Sequence, residues 1–192
     1  MSQYLPQLQM LWPEALLTAS PEPILMPGYA FRIFDPTTDV GAYLSLMHGA
    51  GFADFTAERV ESCLARVLPD GFFVVEHVPT GELVATAMAG HGPTPLHPYG
   101  GELGWVAARK RHAGKGLGMA VCAAVVQRFI SAGYKRIYLL TDDFRLPALK
   151  VYLKLGFVPF LFREGMEARW EAVCDEVGWD FTPDAWPQAV EA

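Results

Sequence analysis

The sequence predicts a mixed α/β fold: one sheet of about six or seven strands, part antiparallel meander and part parallel crossover. Three observations carry this. GFFVVEHV (residues 71–78) and GELVATAMAG (81–90) are strand-like runs joined through Pro79-Thr80-Gly81, a hairpin signal. ELGWVAA (102–108) and RIYLLTD (136–142) are two more, separated by a helix-length apolar segment, which makes them parallel neighbours through a crossover. The 192 residues, 52% hydrophobic and 19% charged, suit one sizeable core.

Each element follows in order. Residues 1–28 hold five prolines and no basic residue, and read as an extended arm with a short strand near Leu8 to Trp12. Its apolar residues, Leu8, Met10 and Trp12 among them, are expected to pack on the domain or on a second copy. YAFRIF (29–34) alternates as a strand and Asp35-Pro36 ends it. Thr38 or Asp39 caps a helix through Tyr43 and Met47 that stops near Gly49 to Gly51. Thr56 caps a second, with Val60, Leu64 and Val67 on one face and Pro69 beyond its end. After the hairpin, HGPTPLHPYGG is a proline-rich loop into residues 102–108. A helix covers about Gly116 to Ala132, and strand 136–142 follows. LPALKVYLKLG (146–156) is a helix with Pro147 in its first turn and Gly156 at its end. FVPFLF (157–162) is a last strand. ARWEAVCDEVGW (168–179) forms a helix within a C-terminal extension, residues 163–192.

Composition narrows the function classes. The formal net charge is −6 and the pI about 5.3, which disfavours a nucleic-acid binder. Cys63, Cys122 and Cys174 are scattered with no ligand spacing, so no metal is expected and each reads as a core residue. No apolar run is long enough to span a bilayer, and the first basic residue is Arg32; the expectation is a cytoplasmic protein without a membrane partner.

Against the acidic background, RKRHAGKGLG (109–118) places Arg109, Lys110, Arg111, His112 and Lys115 around glycines 114, 116 and 118. Glycines let consecutive amides face one point, and the helix that starts there adds free N–H groups and a positive dipole end. That is a backbone cradle for a compact anion such as a pyrophosphate, although such turns also serve plain packing. A P-loop is excluded, because Gly-Lys would have to precede Ser or Thr, and a dinucleotide fingerprint needs glycine where Met119 stands.

A strand ending VAA, four residues, then AGKGLG resembles motif A of the GNAT superfamily, the acyl-CoA-dependent N-acyltransferases. A second motif in the right order, A-x-x-x-Y-x-K-x-G-F, appears as Ala148, Tyr152, Lys154, Gly156 and Phe157. The resemblance covers residues 29–162 and implies a GNAT-like fold with helices on both faces of the sheet. It further implies acetyl-CoA as donor, with its pyrophosphate on the amides of Ala113, Gly114, Lys115, Gly116, Leu117 and Gly118 at the helix start near Met119. The pantetheine would pair with Val106, Ala107 and Ala108, where strands 102–108 and 136–142 splay apart. The basic cluster would reach the CoA phosphates. The sequence departs from the pattern at Ala113, usually Arg or Gln, and at Arg145, often Asn, where another contact to the pantetheine would be needed.

The same resemblance implies a general base at Glu102 and a general acid at Tyr152, the alternatives being a strand-edge carboxylate and a helix-packing tyrosine. Asp142 and Asp143 are second-choice bases, or a solvated turn. His91 and His97 lie in the proline-rich loop, where they line the acceptor side or do nothing chemical. The stretch Met47, His48, Phe52 and Phe55 lies where this fold's first two helices would border the acceptor, with aromatic core as its default reading. The function implied is N-acetyl transfer from acetyl-CoA to an amine of a small molecule or peptide, in a ternary complex. The competing reading is a non-catalytic acyl-CoA-binding regulatory module, and a homodimer is compatible with either.

Overall fold

A computed structural model describes residues 5–189; residues 1–4 of the expected arm and 190–192 of the C-terminal extension lie outside the described residues. The strands are β1 (Leu8–Leu11), β2 (Tyr29–Ile33), β3 (Val67–His77), β4 (Glu82–His91), β5 (Gly101–Ala108), β6 (Ile137–Thr141) and β7 (Val158–Pro159). The helices are α1 (Val40–Gly49), α2 (Ala57–Leu64), α3 (Leu117–Ser131), α4 (Leu146–Leu155) and α5 (Met166–Val177). They build one seven-stranded mixed sheet in the order β2-β3-β4-β5-β6-β1-β7. The meander β2 to β5 is antiparallel, and β5 and β6 are parallel through the α3 crossover.

Helices cover both faces. The larger apolar cluster gathers α3, α4 and α5 residues such as Val121, Leu149 and Trp170 against Ala87 and Leu103. The other gathers Tyr43, Met47 and Val60 of α1 and α2 against Phe72, Val74 and Met88. Helix α3 is buried at nine of its fifteen positions, which is why its sequence is apolar all round rather than striped.

The arm is not an appendage. β1 lies inside the sheet, antiparallel to β6 from Leu8↔Thr141 to Leu11↔Tyr138 and to β7 at Met10↔Pro159 and Leu11↔Val158. Leu8 and Met10 are fully buried, and Trp12 packs edge-on against Phe157 at 5.3 Å between ring centres. Gly156 closes α4 at φ +119°, and a Cβ there would come within 3.1 Å of Leu16. The segment thus belongs to the core it was expected to border.

Three element boundaries differ from expectation. Val67 to Pro69 belong to β3 rather than to the α2 face, because β3 bulges between Val67 and Phe72, with Asp70 at φ +55°. The last strand is short: after Pro159, Phe160 N donates to Gln9 O at 2.9 Å, and among the described residues an isolated bridge, Leu161 to Gln188, follows. Asp39 precedes α1 without capping it, since its carboxylate takes both Arg32 Nη atoms, at 2.7 and 3.0 Å, and the Asp35 amide.

The proline-rich loop is pinned to β1 by His97. Arg136 Nε donates to its Nδ1 (3.1 Å), so Nε2 carries the proton and donates to Gln9 Oε1 (2.7 Å), while the ring stacks on Tyr138. Burial, helped by the Arg136 charge, pushes the imidazole down to about 4. The unfolded chain binds this proton near 6.5 and the folded chain only near 4. Between those values acid therefore favours unfolding, by up to about 3 kcal/mol, and above 6.5 nothing is lost. Thermal melts should fall across this window in the wild type and fall less in His97→Gln; equal slopes would remove His97 from the acid response.

Candidate active site

The glycine turn and the sheet opening meet at the end of β5. Gly114 (φ +75°) and Gly116 (φ +72°) take left-handed backbone, and a Cβ at either would meet nothing within 4 Å. The turn is therefore open on the side that a ligand would approach. Gly116 precedes the first residue of α3. Among the described residues, the amides of Gly114 through Met119 donate to no protein acceptor, so six N–H groups are available at one helix start. The Ala113 amide is not among them. It donates to Lys110 O at 3.0 Å in a short turn over Lys110–His112, which shifts the free run one residue along from where the sequence put it. Gly118 serves packing as well: a Cβ there would lie 3.7 Å from Val151 of α4.

The basic cluster is divided. Arg109 pairs with Glu82 (2.7 Å) and also donates to Leu83 O and Ser45 Oγ. Arg111 pairs with the other Glu82 oxygen, and His112 lies 3.9 Å from it while contacting the Tyr29 hydroxyl at 2.9 Å. Burial and the neighbouring His77 and arginines hold the His112 imidazole below its ordinary range. Two arginines expected to face phosphates thus anchor the turn onto the start of β4. Lys110 and Lys115 are the cluster members with no ion-pair partner among the described residues, and both are exposed. Glu82 was missed in the sequence; the only cue was an acid beside the hairpin Gly81.

The opening beside the turn has a visible cause. Among the described residues β5 pairs with β6 at Gly101↔Ile137 and Glu102↔Tyr138, while along its other edge β6 stays paired with β1 from Tyr138 to Thr141. Between Gly104↔Met88 and Ala107↔Thr86 the β5 chain bulges, with Trp105 at φ +53°. Val106, Ala107 and Ala108 therefore run along an edge with no strand on the β6 side among the described residues. An extended chain can pair there.

Glu102 and Tyr152 are not in contact. Glu102 lines a small cavity with Cys63, Arg66, Met88, Gly104 and Trp105 on the α2 face, 3.6 Å from the Arg66 guanidinium. Tyr152 belongs to the cluster on the α3 face, and burial raises its phenol well above the usual range. Cys122 is fully buried, which pushes its thiol far up and keeps it inert. Arg145 pairs with Asp142 (3.0 Å) and stacks over Phe52 at 4.3 Å, so its guanidinium reaches toward the α1–α2 loop.

That loop frames a cleft of about 330 Å³ whose wall includes Phe52, Phe55 and Trp105. His48 holds the loop through Phe55 O at 2.8 Å, and Met47 is core. The other candidates have structural partners: Asp142 with Gln7 and Arg145, Asp143 with Arg169, His91 with the Tyr134 hydroxyl, and His97 as above. No group of three or more His, Cys, Asp or Glu side chains among the described residues is placed to share a metal ion.

The model of the acetyltransferase (GNAT) family matches residues 42–157. The chain belongs to that family. A mycothiol acetyltransferase of Amycolatopsis mediterranei is 32% identical over 148 residues, covering 71% of this chain and 48% of that protein. One from Streptomyces bingchenggensis is 31% identical over 150 residues, covering 73% and 46%. The chain spans about half the length of the curated relatives it matches. A GCN5-related N-acetyltransferase from Sphaerobacter thermophilus shares the fold of this GNAT chain at a TM-score of 0.59 and 20% identity, over 81% of this chain and 50% of that one.

Proposed function

We propose that this GNAT chain transfers an acetyl group from acetyl-CoA to the amine of a small molecule. The observation that carries the reading is the run of six unbonded amides at the start of α3, beside the open edge of β5. One end accommodates a pyrophosphate and the other an amide-bearing arm, the two chemical parts that a CoA thioester presents in series. Glu102, on the strand that forms the opening, supplies a carboxylate for the amine proton. The relatives named mycothiol acetyltransferase support an acetyl acceptor, and their acceptor belongs in any panel tested. A homodimer and a cytoplasmic location belong to the same reading.

Acetyl-CoA at millimolar concentration is expected to raise the melting temperature of the chain, because a ligand selective for the native state stabilises it by mass action. Gly116→Val puts branched carbons into the open side of the cradle, at a φ that costs about 1–3 kcal/mol for such a residue. The variant should still melt cooperatively and show no shift. A normal shift in that variant would move the phosphate site elsewhere. Thiol release with amines then separates an enzyme from a module that only binds.

A further inference from the structure

The aromatic cleft between the α1–α2 loop and the β5 bulge is built for more than a generic amine. Trp105 stands at φ +53°, a left-handed conformation that bulky residues rarely hold, in the bulge that breaks the β4–β5 register. Strain of this kind persists where the surrounding structure demands a particular side-chain direction. Here the indole meets Phe55 edge-on at 4.6 Å and Phe52 at 5.8 Å, and together they wall one side of the cleft. Trp105 also lines the Glu102 cavity, so the indole is shared by the aromatic cleft and the cavity that holds the carboxylate.

The charges around the cleft are unequal in their commitments. Arg145 is paired with Asp142, and Arg66 lies against Glu102. Arg59 has no carboxylate partner among the described residues, and its guanidinium is held 5.2 Å above the Trp105 ring. Asp54 sits at the rim, exposed, with no aromatic plane fixing it. A guanidinium pre-oriented by stacking presents its planar fork of donors to a carboxylate.

Resting on the acetyl-transfer reading, we infer that the acceptor is a primary amine on an aryl or branched aliphatic body that also carries a carboxylate: an apolar amino acid rather than a polyamine or a sugar amine. The body lies against Phe52, Phe55 and Trp105, the carboxylate takes Arg59, and the amine passes the Trp105 edge toward Glu102. An aryl body against aromatic walls and one well-placed charge partner are the contacts that orient a small ligand in a cleft.

The test is a calorimetric titration of L-phenylalanine, phenethylamine and L-serine into the full chain, with and without CoA. L-Phenylalanine should bind at least ten-fold tighter than L-serine, which lacks the ring, and at least ten-fold tighter than phenethylamine, which lacks the carboxylate. Arg59→Gln, an exposed helix position, should erase the second difference and keep the first. Trp105→Gly, which suits the local backbone, should erase the first. Serine or phenethylamine binding as tightly as phenylalanine, no binding by any of the three, or an Arg59→Gln variant unchanged would each overturn the assignment. Failure of the transfer reading is separately visible, as loss of the acetyl-CoA melting shift in a chain that still selects phenylalanine.

Discussion

Met10→Asp is expected to leave the chain without a cooperative melting transition at 25 °C. Met10 is fully buried at the centre of β1, between Leu139 of β6 and Pro159 of β7, so an aspartate there would be an unpaired carboxylate in an apolar interior. Such a group costs several kcal/mol even after protonation, and taking the methionine side chain out of the core adds about 2–5 kcal/mol. Together they rival the roughly 5–15 kcal/mol that holds a domain folded. Gln9→Ala is the milder companion: it loses the His97 bond at 2.7 Å and should lower the melting temperature by a few degrees while the fold survives. Amide exchange reads the same point without mutation, since the amides of Gln9 to Trp12 should be among the slow ones. A two-state Met10→Asp melt near that of the wild type would show that β1 is dispensable to the sheet.

The β1 result also marks where sequence stops being informative. Hairpin and crossover were legible because their signals are local: Gly81 in a turn at φ +68°, and β5 and β6 separated by one apolar helix. The helix ends were legible at Thr56, which caps α2 by accepting from the Arg59 amide, and at Gly156, whose φ +119° only glycine tolerates freely. The place of β1 was not, because the partners of Leu8 and Leu11 are Thr141 and Tyr138, far along the chain, and a strand of four mostly apolar residues carries no signal of which strands it lies between. At the site the glycine turn could be read directly, since a positive-φ backbone selects its residue. What could not be read was which cations stay available. Arg109 and Arg111 look alike as phosphate ligands in the sequence, and only the fold brings Glu82 against both. Trp105 was invisible as a wall because a bulge turns one residue against the alternation that pattern reading relies on.

Glu102→Gln is expected to cut turnover by about 10²–10⁴-fold, the range for a positioned base, while acetyl-CoA still raises the melting temperature. The amine attacks the thioester carbonyl only when neutral, and as the C–N bond forms and the C–S bond breaks one proton must leave nitrogen. Under the proposed reaction Glu102 would take it, directly or through one water; the amide of glutamine keeps the shape and cannot. Arg66, 3.6 Å away, orients the carboxylate, and its weaker hold on Gln is a second reason for loss. Tyr152 has a different weight. It is nearly fully buried among Cys122 and Phe157, and burial raises its phenol, so it stays protonated but gives its proton up reluctantly. Under the proposed reaction its service to the departing sulfur would be a hydrogen bond to developing negative charge, about 1.5–3 kcal/mol, rather than early proton delivery. Tyr152→Phe should therefore slow turnover by roughly 10- to 100-fold, less than Glu102→Gln. Mass spectrometry after mixing with acetyl-CoA alone should find no acetyl on Cys122, because burial keeps that thiol protonated and inert. Rates in the wild type should climb with pH as the amine loses its proton. Full activity in both variants, or a stable acetyl-Cys122, would replace direct transfer with a different mechanism.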